Sequence, residues 1–262
     1  MPSKEEEEIA TVLIIRTNAE RILADLANLQ SILDFQLRHL PRKIIRDTYY
    51  DSPDYLLRRK RANLRLREIG GQWFLSAKLG GKLNRGGIIS RRDPEIPWSR
   101  AALQQIALEL GLRLPDTDFV AESPSSMPRT EMERMGLQVV QERETRREGS
   151  NVMQGEKLIA ELALDKVTFR FKSVQVQLYE IEIELKSGDK TDLRKLESIR
   201  NRVASMYRGS LSRWSHGKFV TGRAIEKLLE DGRLQALLDN EGLKPEAVKT
   251  IQRVLQSKNL WK

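Results

Sequence analysis

Three short stretches of the chain place charge on every second residue. In Glu180-Ile181-Glu182-Ile183-Glu184 the acids alternate with isoleucine, and Glu161-Leu162-Ala163-Leu164-Asp165 repeats the division. Leu64-Arg65-Leu66-Arg67 carries it with the opposite sign. Successive side chains of a strand point to opposite faces, so each stretch has a charged side and an apolar side. Neighbouring carboxylates on one such face lie about 6.6 Å apart and repel by roughly 2.5 kcal/mol at an effective dielectric near 20. Something cationic should offset this. Clustered carboxylates hold a hard divalent ion, and arginines bind phosphate oxygens in fork geometry. Together they suit phosphoryl transfer, where positioning and charge stabilisation supply most of the rate. Two arrangements would serve the pattern. One is a solvated sheet surface with cross-strand ion pairs; the other is a closed barrel with charges inside and aliphatic residues outside.

The elements that must position these residues can be read from periodicity. Strand-like runs fall at about 8–16, 44–50, 64–68, 73–79, 137–146, 157–164 and 176–186. Asn18 can cap a helix carrying Ile22, Leu23, Leu26, Leu29 and Leu33, and Ser99 precedes a second with Leu103, Ile106, Ala107 and Leu110, stopped by Gly111. A third starts near Asp192 with Leu193, Leu196, Ile199 and Val203. The class is α+β, dominated by antiparallel strands. Residues 122–134 lack periodicity and read as a loop between two halves of one sheet system. From Phe219 onward the pattern is helical, so 1–218 is expected to form the main domain and 219–262 a helical appendage.

Composition excludes several classes. The 262 residues include no cysteine, which removes disulfides, Cys-ligated zinc and thiol nucleophiles. The two histidines, His39 and His216, have no neighbouring acid or second histidine in a ligand or triad pattern. A metal would therefore sit on oxygen ligands, as Mg²⁺, Mn²⁺ or Ca²⁺ does. The longest aliphatic stretch, Ile9 to Ile15, is far shorter than the roughly 18 residues of a membrane span. Met1 to Glu8 is acidic where a signal peptide is basic, so a cytoplasmic protein without a membrane partner is expected. The net charge of +9 favours a polyanionic partner. Aromatics are only 6%, and no basic-aromatic stacking platform is present, which argues against nucleic acid and for a small polyphosphate.

A longer ordered set of residues resembles a known family. Asp47-Thr48-Tyr49-Tyr50-Asp51-Ser52-Pro53-Asp54 is followed by Leu64-Arg65-Leu66-Arg67-Glu68 and Lys78, then by Gly86-Gly87 with Arg91-x-Asp93-x-Glu95. Glu161 to Asp165, Tyr179 to Asp189 and Gly209-Ser210-Leu211-Ser212-Arg213 complete it. This combination resembles the CYTH, or triphosphate tunnel, superfamily of inorganic triphosphatases, thiamine triphosphatases and class IV adenylate cyclases. The resemblance implies a closed or nearly closed eight-stranded antiparallel β tunnel with flanking helices. In it Arg65, Arg67, Lys78, Arg91, Arg146 and Arg213 would grip phosphates, with Arg143 or Arg147 as alternatives to Arg146. Glu182 and Glu184, with Asp165 and Glu161, would hold Mg²⁺ or Mn²⁺ and orient the attacking water, Lys78, Glu182 and Glu184 serving as catalytic residues. Glu180 and Glu8 are further candidate metal ligands. Relatives carry Glu-x-Glu-x-Lys on the first strand. Here the preferred register places it on Glu8-Ile9-Ala10-Thr11-Val12, which lacks the second acid and the lysine; a shift to Glu6-Glu7-Glu8-Ile9-Ala10 lacks only the lysine. The implied activity is metal-dependent hydrolysis of a triphosphate, with inorganic tripolyphosphate favoured. Adenylate cyclase and a non-catalytic polyphosphate-binding or nucleotide-binding module are the alternatives.

Overall fold

The structure is a computed structural model that describes residues 7–79, 82–83, 89–92, 95–114, 127–239, 242–257 and 260; residues 7, 8, 78, 79, 82, 83 and 89–92 are described by main chain alone. The chain opens with β1 (Glu7–Ile15) and α1 (Ala19–Ala27), then the hairpin β2 (Ser31–Ile32) and β3 (Phe35–His39). There follow β4 (Lys43–Asp51), α2 (Leu56–Lys60), β5 (Ala62–Ile69), β6 (Gln72–Leu79), β7 (Lys82–Leu83), β8 (Ile89–Arg92) and β9 (Glu95–Pro97). Two helices, α3 (Arg100–Leu110) and α4 (Pro128–Arg134), precede the long strands β10 (Gln138–Gln154), β11 (Lys157–Arg170) and β12 (Gln175–Leu185). The remainder is α5 (Leu193–Met206), β13 (Leu211–Trp214), α6 (Lys218–Glu230), a small hairpin of β14 (Leu238–Asp239) and β15 (Gly242–Leu243), and α7 (Ala247–Gln256).

Thirteen strands form one antiparallel sheet whose main path runs β7-β8-β1-β12-β11-β10-β4-β5-β6-β9. The expectation of a closed tunnel of eight strands is corrected in both respects. Among the described residues the ladder has two ends, β7 and β9, and does not close. The strand count rises because the long strands divide their edges between partners. β10 pairs with β4 through Arg147 and with β3 from Ser150, while β1 pairs with β8 up to Ala10 and with β13 from Val12. The α+β class and the flanking helices are as expected.

Local rules account for α3, whereas Asn18, expected to cap α1, sits in the left-handed region and makes no side-chain cap bond. Ser99 accepts the Ala102 N–H at 3.0 Å to start α3, and Gly111 ends it at φ +67°, a conformation that glycine adopts without a Cβ penalty. α1 is shorter than its leucine spacing suggests. Leu33 takes a left-handed φ of 55° in the β2–β3 turn, so the chain reverses there and buries Ile32, Phe35 and Leu37 through strand alternation.

The apolar faces of the strands form three cores. Leu13, Ile15, Leu162, Leu164, Ile181 and Ile183 pack beneath α1 and α5. Leu64, Leu66 and Leu75 pack beneath α3, α2 and α4. The third core lies on the opposite face of the sheet, where Val12, Ile14, Val167, Phe169, Val176 and Leu178 meet Ala224, Ile225 and Leu228 of α6 and Val248 and Ile251 of α7. The face bearing the acids and arginines is thus apolar at one end and covered there by the two C-terminal helices. Among the described residues no helix is long and apolar enough to cross a membrane.

Candidate active site

Strand register carries the charged residues into two rungs, separated along β10 by the rung of Thr145. In the first, Arg143 of β10, Asp47 of β4 and Arg67 of β5 stand directly across from one another. Arg67 donates to Asp47 from Nε at 2.7 Å and from Nη2 at 3.1 Å, Arg143 donates to Asp47 Oδ2, and Arg65 Nε lies 3.8 Å from Oδ1. Three guanidiniums converge on one buried carboxylate. Burial alone would raise the Asp47 pKa, but Arg143, Arg65 and Arg67 hold it well below the usual carboxylate range. Glu95 of β9 reaches the outer side of the group, 3.4 Å from Arg65 and 3.2 Å from Arg67. Among the described residues, three positive charges therefore meet two negative ones.

The polar atoms left over point to a ligand. Arg143 Nε and Nη1 are buried and make no hydrogen bond among the described residues, while its Nη2 donates to Asp47 and, at 3.0 Å, to Tyr49 OH. Ser76 Oγ, on the rung that links Tyr49, Arg65 and Glu95, is likewise buried with no partner among the described residues. Buried donors without acceptors are costly. Phosphate oxygens are the acceptors to which a set of guanidinium and hydroxyl donors would donate best.

The second rung runs through Arg147 of β10, Asp165 of β11 and Glu180 of β12, each opposite the next. Arg147 forks onto Asp165 at 2.7 and 2.6 Å and also reaches Glu182 at 2.7 Å and Glu161 at 3.8 Å. The remaining cation comes from outside the sheet. Lys218, the first residue of α6, places Nζ 2.7 Å from Glu180, 3.1 Å from Asp165 and 3.2 Å from Glu182. Burial works against its charge, yet Glu180, Glu182 and Asp165 together push its pKa well above the usual lysine range. Burial raises Glu180 despite Lys218, whereas Arg147 and Lys218 overcome burial to lower Asp165.

α6 is fixed where it enters. Thr221 accepts from Trp214 Nε1 at 3.0 Å and donates to Gly217 O at 3.1 Å, and Gln141 donates to Phe219 O at 3.1 Å. Gly222 lets the helix approach β10, since a Cβ there would lie 2.5 Å from the Gln141 amide. Phe219 also stacks on Tyr49, ring centres 4.6 Å apart. One helix turn thus links the two rungs.

The structure brings together Arg65, Arg67, Glu161, Asp165, Glu180, Glu182 and Glu184 on one face, as their alternation predicts. Glu184 is paired with Lys186 at 2.6 Å. Arg146 and Arg213 are placed elsewhere. Arg146 points to the other side of β10, two-thirds exposed, beside Glu144, and Arg213 is exposed opposite Leu13, whose side chain lies in the core under the helices. Arg143 and Arg147 hold the interior positions of β10. Main-chain register sets Glu8 opposite Arg91 and Lys78 opposite Asn63; the side chains of Glu8, Arg91 and Lys78 lie outside the described residues. Sequence reading missed Lys218 and the role of Asp47 as the arginines' common anchor.

The acids do not fit a divalent metal as they stand. Their oxygens are hard donors, and buried Glu180 Oε1 has no hydrogen-bond partner among the described residues. The point where three carboxylates converge, however, is held by the Lys218 ammonium, and among the described residues no three acidic groups form a metal cage.

The antiparallel sheet thus gathers arginines and carboxylates on one face. The chain belongs to the CYTH domain family, whose model matches residues 14–212. Similar solved structures include a putative adenylyl cyclase from Hippeastrum described as having a dominant triphosphatase activity, at 17% identity and a TM-score of 0.53, covering 87% of this chain and 97% of that one. A putative adenylate cyclase from Bacillus halodurans is also similar, at 17% identity and a TM-score of 0.45, covering 82% of this chain and 96% of that chain. An RNA triphosphatase from S. pombe shares 12% identity at a TM-score of 0.39, covering 78% and 85%. No curated protein matches the chain.

Proposed function

We propose that the protein binds a triphosphate and hydrolyses it, with inorganic tripolyphosphate the favoured substrate because no base-recognition site accompanies the charged rungs among the described residues. The observation that supports this most is Arg143, buried beside Arg65, Arg67 and Asp47 with two donor atoms unfilled in a CYTH chain. In this reading the three arginines bind phosphate oxygens and stabilise charge as the terminal P–O anhydride bond lengthens. Water attacks the terminal phosphorus, the anhydride oxygen leaves with the bonding pair, and the water proton passes to a carboxylate. Glu182 and Glu184, in line on β12, are the proposed acceptors, and Lys78 and Arg91 are proposed further phosphate contacts. Mg²⁺ or Mn²⁺ enters this proposal as the counter-ion that a triphosphate carries with it. Arg147 and Lys218 engage the acids that would otherwise hold a metal on the protein.

The Hippeastrum protein's description favours triphosphatase over cyclase chemistry for this fold. A second reading, binding without turnover, is favoured by the first strand: Ala10 stands opposite Glu184 and Val12 opposite Glu182, both buried, where the resemblance sets an acid and a lysine. The test is release of phosphate and pyrophosphate from tripolyphosphate, ATP and thiamine triphosphate, each with Mg²⁺, Mn²⁺ or chelator. Turnover fastest on tripolyphosphate supports the first reading. Tight binding with no product supports the second, and neither binding nor turnover removes both.

A further inference from the structure

Lys218 occupies a position that two effects oppose. It begins α6, where unpaired N–H groups make a helix N-terminus favourable for anions and unfavourable for cations, and its side chain is only 14% exposed. It is held there by three carboxylates from two adjacent strands. An ammonium has three donors, and here each finds one carboxylate. The spacing suits nitrogen and not a small metal. Oxygens 2.7–3.2 Å from the centre would each have to move inward by about 0.6–1.1 Å to reach Mg²⁺ bonding distance. Nor can the helix withdraw easily, since Thr221 ties it to Trp214 and Ala224, Ile225 and Leu228 are wholly buried beneath it.

We propose that Lys218 is the resident cation of the acidic rung, so that the C-terminal helix keeps divalent metal out of Asp165, Glu180 and Glu182. This goes beyond the triphosphatase reading, because it concerns which cation the acids accept and holds whatever the substrate is. Its test therefore uses no substrate.

The full chain and Lys218→Met are titrated with Mn²⁺, with free ion followed by electron paramagnetic resonance and Tm recorded in parallel. The expected result is one bound Mn²⁺ per chain in Lys218→Met, at least about tenfold tighter than in the unmodified protein, with a metal-dependent rise in Tm confined to the variant. Met keeps the length of the stem while removing the charge, and Lys218→Gln serves as a second variant should Met prevent folding. Stoichiometric Mn²⁺ binding by the unmodified protein, as tight as in the variant, overturns the proposal. If neither variant folds, the unmodified protein decides alone. Mn²⁺ binding that Glu182→Gln weakens tenfold or more overturns the proposal, and no binding at millimolar Mn²⁺ supports it.

Discussion

Asp47→Asn removes the carboxylate on which three guanidiniums converge while keeping its volume. Asp47 is 2% exposed and Arg143 and Arg65 are each 4% exposed, so solvent cannot replace the lost charge. Breaking a buried ion pair by removing one partner costs about 3–5 kcal/mol. At about 2–4 °C per kcal/mol, Tm should fall by roughly 6–20 °C. The pH dependence follows from the depressed Asp47 pKa. A carboxylate held below its unfolded value, about 3.9, contributes fully above that value and loses its contribution as pH falls toward the folded one. The gap between the two proteins should therefore be flat at neutral pH and narrow below about pH 4. Tripolyphosphate should shrink it as well, because phosphate oxygens can stand in for the missing carboxylate. Calorimetric melts from pH 3 to 8, with and without tripolyphosphate, read all three effects. A Tm within about 2 °C of the unmodified protein at pH 7, less than 1 kcal/mol by the same scale, would refute the anchor role.

Arg65→Ala and Arg67→Ala should each weaken tripolyphosphate binding by about tenfold to a hundredfold, the worth of one charge-assisted contact; titration calorimetry measures this. Arg146→Ala, which alters the exposed side of β10, should leave affinity unchanged, and a comparable loss there would move the site. Glu180→Gln addresses a carboxyl whose pKa is raised by burial against Lys218. Its charged form is disfavoured in the fold, so the cost is absent below the unfolded value and complete above the folded one. The variant should thus melt no lower than the unmodified protein at pH 8, with any gain vanishing toward pH 4; a clear loss at pH 8 alone would contradict the sign.

Much of the sheet and the division of its faces could be read from alternation, because Ile181, Ile183, Leu64 and Leu66 supply an apolar phase against which the charges are counted. β10 offers no such phase. Glu142-Arg143-Glu144-Thr145-Arg146-Arg147 carries charge on both faces, and a register shift lies between Val139 and Gln141, so the preference for Arg146 over Arg143 or Arg147 had no apolar phase to correct it and fell on the wrong face. The need for a cation beside the acidic strand was evident from repulsion. Its source was not, since Lys218 reaches the acids only through the tertiary path of α6, and nothing local in Gly217-Lys218-Phe219 marks it. Helices α2 and α4 are too short to impose a period. The closure expected of the tunnel depended on strands from both ends of the path meeting, a long-range property that no local pattern encodes.

The first strand and α6 can be tested as one electrostatic unit. Val12 stands directly across from Glu182 on β1 and β12, and Lys218 reaches the same carboxylate at 3.2 Å from the helix. Cross-strand neighbours lie about 4.5–5.5 Å apart at Cβ, well within the reach of a lysine stem. An ammonium introduced at position 12 would therefore compete with Lys218 for Glu182. Val12→Lys alone should destabilise, since it forces a second charge into a core shared with Trp214 and Ile225. Lys218→Met alone should also destabilise, removing the ammonium from Glu180 and leaving Arg147 against Asp165 and Glu182. Combined, the two changes exchange the source of the ammonium and keep the charge count. The double variant should be more stable than the sum of the single losses by about 0.5–3 kcal/mol, the range for residues sharing one network. Denaturant melts of all four proteins measure the coupling. Strict additivity would mean that the two positions do not serve the same carboxylates, and that the charge missing from the first strand is not supplied by the helix.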